Sequence, residues 1–165
     1  MNDRPTSGTV LKTISMIYLA IVTVMVIFSL FVFYQNNISE AAPIEDRQFT
    51  LVLRYVLFVF APMGVIAGYF IFKKLISAIP QGASLREKIN RYQIAMLIRA
   101  ACLEGPGLLA AVFAFISKDN SFLLITAIIV VLFGLLRPTV YGITSDLNLS
   151  PAEAARLNNP DSPLD

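Results

Sequence analysis

The chain contains no histidine, a single cysteine and little charge. Without histidine it lacks the commonest metal ligand and general base, and a haem held through imidazole is excluded. Cys102 alone rules out a disulfide within the chain. No hydroxyl or thiol has a histidine to activate it, no acidic pair stands at metal-ligand spacing, and no glycine-rich phosphate loop follows a strand. Enzymatic activity is therefore not expected, nor a metal or a cofactor. A formal net charge of +2 is too small to hold nucleic acid.

What the chain has is apolar length. Of its 165 residues 56% are hydrophobic and only 15% charged, and the mean hydropathy is +0.70, which places it in the membrane class. Four runs, 14–34, 55–72, 92–116 and 122–143, are close to the roughly twenty residues that cross a 30 Å hydrocarbon core. The first is longer than the apolar part of a signal peptide and reads as a retained helix. The expected fold is all-α: one transmembrane domain over 1–165, a four-helix bundle with a short amphipathic C-terminal helix. Positive residues collect in the N-terminal arm (Arg4, Lys12) and between the second and third runs (Lys73, Lys74, Arg86, Lys88, Arg91), whereas the first connection carries Glu40, Glu45 and Asp46 beside Arg47 and Arg54. Cytoplasmic loops collect lysine and arginine, so both termini are expected in the cytoplasm.

Two helix starts are legible. Ser84 to Glu87 and Ser150 to Glu153 both fit the capping box, the second with Pro151 at the first helical position, where its missing N–H costs nothing. They predict a third helix beginning near Leu85 and a tail helix over 151–157, ending before Asn159 and Pro160.

The third run carries Glu104-Gly105-Pro106-Gly107, with Arg99 before it. A carboxylate in hydrocarbon costs several kcal/mol and calls for a partner or a function. Counting outward from the Lys118-Asp119-Asn120 turn sets Glu104 level with Gly134 and brings Arg137 within reach, so a Glu104–Arg137 ion pair is expected, with Arg99, Thr139 and Tyr141 around it. The same counting from the Gly82 turn sets Cys102 level with Pro62. Helix breaks are expected at Pro62, at Gly105, Pro106 and Gly107, and at Pro138. Small residues four apart (Gly64 with Gly68, Ala101 with Gly105, Gly107 with Ala111) and Gly134 predict close packing of helices two, three and four, or a homo-oligomer.

Arg-x-Ala-x-x-Glu-Gly-Pro over Arg99 to Pro106, and Arg-Pro-Thr over Arg137 to Thr139, resemble a family of small, uncharacterised four-span bacterial integral membrane proteins. The resemblance covers 84–157. It implies a multi-pass protein of the bacterial inner membrane and brings no activity with it. Residues 99–105 also look like the carboxylate helix of rotary ATP synthase proteolipids, but Pro106 is out of that pattern and the glycine-rich partner helix is missing, so the likeness reads as convergent. The expected role is a structural or partner-binding membrane subunit whose buried ion pair fixes which helices associate. Its partners would be the bilayer and a membrane or cytoplasmic protein docking on the tail near Leu147, Leu149 and Leu157. The alternative is a proton or small-ion translocator using Glu104, which a nearby arginine would oppose by holding the carboxylate charged.

Overall fold

The computed structural model describes residues 6–38, 47–160 and 162, which form helices joined by short turns, with no strand among them. The order is α1 (Ser7–Ile38), α2 (Arg47–Ser77), α3 (Leu85–Ser117), a 3-10 turn (Asn120–Phe122), α4 (Leu123–Leu135), α5 (Val140–Asp146) and α6 (Pro151–Asn158). Arg4, Glu40, Glu45 and Asp46, on which part of the charge reading rests, lie outside the described residues.

α1, α2 and α3 are each long and apolar enough to cross a membrane. A fourth crossing would need α4 and α5 together, and these are bent by 78°. The fourth run, expected over 122–143, thus holds a helix of 13 residues, about 20 Å, and a short second one set at an angle to it. Pro138 is the cause. It has no N–H to give, and it drives the residue before it out of helical geometry. Thr139 then starts α5 as an N-cap, its Oγ1 accepting from the Gly142 N–H at 3.0 Å.

α3 is the axis of the molecule and packs against α1, α2 and α4. Its buried positions, among them Ile89, Tyr92, Met96, Ala100, Leu103 and Ala110, face all three neighbours. α1 buries a narrower stripe, with Tyr18, Met25 and Val32 seven residues apart, the spacing that keeps one face against a partner. The remaining faces of α1 and α2 stay apolar and exposed, including Leu19, Phe31, Phe58 and Phe70, as surfaces bathed in lipid should.

The breaks expected at Pro62 and at Gly105 to Gly107 do not form, because α2 and α3 run through their prolines. Losing one hydrogen bond is tolerated in a membrane helix when neighbours pack on the gap, and here they do. A Cβ on Gly64 would lie 2.6 Å from both the Cys102 carbonyl, which Pro106 leaves without its helical donor, and the Pro106 ring. Gly68 follows, 3.1 Å from the Cys102 side chain by the same measure. Cys102 is thus level with Gly64 and Gly68, one turn from the expected Pro62. Gly107 makes the matching contact on the other side, where a Cβ would run into Met25 of α1 and sit 3.4 Å from Ile129 of α4.

The two ends of the bundle are closed differently. At the basic end, the tail folds back on the beginning of α1: the Ser7 and Gly8 amides donate to the carbonyls of Ser162 and Pro160, both at 3.1 Å, and the Ser7 hydroxyl donates to Asn159. These carbonyls satisfy amides of a first helical turn, which have no intrahelical partner. α6 carries the full capping box at Ser150 and Glu153, and its Leu157 is buried. Glu153 also pairs with Lys88 of α3 at 2.7 Å, and that bond holds its carboxyl down at about 2. Ser84 caps α3, but Glu87 turns to Arg91 at 2.8 Å. The opposite end is held by Arg54–Asp119 at 2.7 Å and by Asn36, which donates to the Ala114 carbonyl and to Asn120.

Candidate functional site

The polar groups that meet in the interior gather where α4 ends. Because Pro138 stops the helix, the last carbonyls of α4 lack donors along the chain, and where they are shielded from water each must find one elsewhere. Leu132 accepts from the Leu136 amide at 2.9 Å. Tyr18 of α1 donates its hydroxyl to the Phe133 carbonyl at 3.0 Å and lays its ring against that of Phe133. Arg99 of α3 donates from Nη2 to the Leu136 carbonyl at 2.9 Å, lies against the Met96 sulfur, and sits 4.1 Å from the centre of the Phe72 ring. A guanidinium at a helix C-terminus meets the negative end of the dipole, and the ring face adds attraction where water is absent. Next to it the Phe72 and Tyr92 rings meet edge to face, and the Tyr92 hydroxyl points at Asp146 of α5 over a long 3.5 Å contact. One cluster thus joins five helices.

Farther along, Thr126 of α4 donates to the Gly107 carbonyl at 2.9 Å. With the Arg99–Leu136 contact this fixes the register of α3 and α4: Glu104 stands level with about Val130, not Gly134. The end of α4 is then about 7 Å beyond Glu104 along the axis, and Arg137 lies past the bend. The connection is the reason. A 3-10 turn takes up Asn120–Phe122, so counting from a tight turn misplaces the pair.

Among the described residues the ion pairs are Arg54–Asp119, Lys88–Glu153 and Arg91–Glu87; Glu104 and Arg137 are not brought together. Glu104 is half-buried and Arg137 is exposed. Tyr141 is 84% exposed, away from the cluster, and Thr139 serves as the α5 cap. Of the small residues, Gly64, Gly68, Gly107 and Ala111 lie in helix contacts, whereas Ala101 is exposed and Gly105 and Gly134 face open space. Leu157 is buried, and Leu147 and Leu149 are partly buried against the chain's own core. No group of three acidic or cysteine side chains suited to a metal occurs among the described residues.

Tyr18, Phe72, Tyr92 and Asp146 were not singled out in the sequence. Their signal was indirect: a proline inside an apolar run leaves carbonyls that need donors, and Tyr18 is among the few polar tips in the first run. No family model matches the chain, and neither a curated protein nor a solved structure is similar to it. Its function is therefore read from the geometry above.

Proposed function

We propose that the chain is a non-enzymatic, multi-pass protein of a bacterial cytoplasmic membrane, acting as a structural or partner-binding subunit with its basic end and both termini in the cytoplasm. Lys73, Lys74, Arg86, Lys88 and Arg91 support that orientation. The α4–α5 pair completes the fourth crossing. The role is carried by how the interior polar side chains are used: Arg99, Tyr18 and Thr126 each bond a backbone carbonyl of a neighbouring helix. Such groups set helix positions, which is what a scaffold needs. A partner protein or a second copy would meet the exposed faces of α1 and α2 or the outer side of α6.

A second reading, a proton or small-ion carrier working through Glu104, is supported by one observation. The carboxyl is half-buried midway along α3 and, among the described residues, joins none of the ion pairs. Reconstituted vesicles separate the two. A scaffold leaves proton flux at the level of protein-free vesicles for wild type and Glu104→Gln alike. A flux that the wild type supports and Glu104→Gln abolishes would establish the carrier instead.

A further inference from the structure

At the basic end the structure leaves a cavity of about 800 Å³, bounded by the last turns of α2, the α2–α3 turn, Arg99, and the α5 end from Ser145 to Asn148. Lys73, Lys74, Lys88 and Arg99 line it, against a single acid, Asp146. Lys88 is already matched by Glu153, and Arg99 is held at the back by the Leu136 carbonyl and the Phe72 ring, its buried Nε without a hydrogen-bond partner. Lys73 and Lys74 remain exposed at the mouth, Lys73 lying 4.9 Å from the centre of the Tyr69 ring. The charge of this cavity is complementary to an anion.

Its lining suits an amphiphilic anion better than a purely soluble one. Phe70, Phe72, Ile76 and Leu136 line the same cavity, and one turn farther along both helices a second space of about 440 Å³ opens between α2 and α4. All ten residues around that second space are apolar, among them Leu57, Ala61, Val65, Ile66 and Leu132. From Ile66 back to Leu57 is about 14 Å along α2, close to the roughly 15 Å depth of one leaflet's hydrocarbon. A cationic chamber at headgroup level, continued by a dry crevice one leaflet deep, has the form of an amphiphile with a negative head.

We propose that this composite groove is a binding site for an anionic phospholipid, with the headgroup phosphate between Lys73, Lys74 and Arg99 and an acyl chain in the α2–α4 crevice. Phosphate oxygens accept charge-assisted bonds from ammonium and guanidinium donors, and basic pockets between membrane helices on the cytoplasmic side are suited to such heads. The site rests on the membrane placement proposed above and is indifferent to the choice between scaffold and carrier.

The test uses the full chain in nanodiscs and in detergent. Native mass spectrometry and thermal unfolding are compared with added phosphatidylglycerol, phosphatidylcholine, glycerol phosphate and inorganic phosphate. The expected result is one retained phosphatidylglycerol per chain and a raised unfolding temperature with that lipid alone. Lys73→Gln and Lys74→Gln, both at exposed positions, should each weaken retention about fivefold, and Ala61→Leu, which narrows the crevice, should weaken it without changing net charge. Equal retention of phosphatidylcholine, stabilisation by inorganic or glycerol phosphate to the same degree, or no response to the lysine variants would each overturn the assignment. Failure of the membrane placement would appear separately, as a protein that does not enter the nanodisc.

Discussion

Pro106 in the middle of α3 and Pro138 at the end of α4 present the same local chemistry with opposite results. Each lies in an apolar run, each closely follows a charged residue, and each removes an amide that a helix would use. Around Pro106 the helix continues, because α2 presses Gly64 onto the proline ring and onto the carbonyl it frees. Around Pro138 the chain turns by 78°, because Tyr18 and Arg99 supply donors to the released carbonyls and Thr139 caps the helix that follows. A proline in an apolar run is therefore a question put to its neighbours. Where they offer packing, the helix goes through; where they offer hydrogen bonds, it ends.

The packing side of this comparison breaks most easily at Gly64. Gly64→Leu places side-chain atoms where the Cys102 carbonyl and the Pro106 ring already stand, and should cost about 3 kcal/mol by forcing α2 from α3. Reversible unfolding in mixed micelles measures it, and a loss below that of an exposed control such as Phe58→Leu would contradict the seam.

The hydrogen-bonding side breaks at Arg99. Arg99→Met strands the Leu136 carbonyl and should cost about 2 kcal/mol, whereas Tyr18→Phe, which removes a neutral donor, should cost about 1 kcal/mol. If Tyr18→Phe proved the more damaging in the same unfolding experiment, the guanidinium would not be the main cap.

The tail offers a pH test. Lys88 holds the Glu153 carboxyl down at about 2 from its usual 4.5. A lowered value means that the bond's contribution is complete above about pH 4.5 and is lost as the pH falls from there towards 2. Amide exchange in α6, corrected for intrinsic rates, should accelerate across that window in the wild type and be flat in Glu153→Gln.

The smallest change in free energy is expected from the prolines themselves, where it sharpens the comparison most. Pro106→Ala should alter stability by less than about 1 kcal/mol and leave α3 as it is. Pro138→Ala should open the α4–α5 bend, lengthening a spin-label distance between positions 124 and 145. A bend that survives this substitution would show that the Tyr18 and Arg99 caps, not the proline, hold it.

How much of this was legible beforehand differs from element to element. The three long helices, the start of α3 behind Ser84 and the whole of α6 follow from local rules: apolar length, a serine three residues before a glutamate, and Pro151 at the first helical position. The stop at Pro138 was legible for the same reason. The register of α3 against α4 was not, because a 3-10 turn and a left-handed Lys118 in their connection move the two helices by about a turn. That error carried the Glu104–Arg137 expectation with it.

The amino-acid sequence by itself determined that this chain is helical and carries runs apolar enough to cross a membrane, where its caps lie, and that Arg99 and Glu104 sit in apolar runs and need an explanation. Each of these depends on residues within a few positions of one another or on bulk hydropathy. Only the tertiary structure decided that Pro106 lets its helix pass, that Arg99 serves a carbonyl 37 residues away instead of a carboxylate, and that lysines from the end of α2 share a chamber with α5. Those outcomes turn on which helix faces which, a matter of a few ångströms of register that no local pattern encodes.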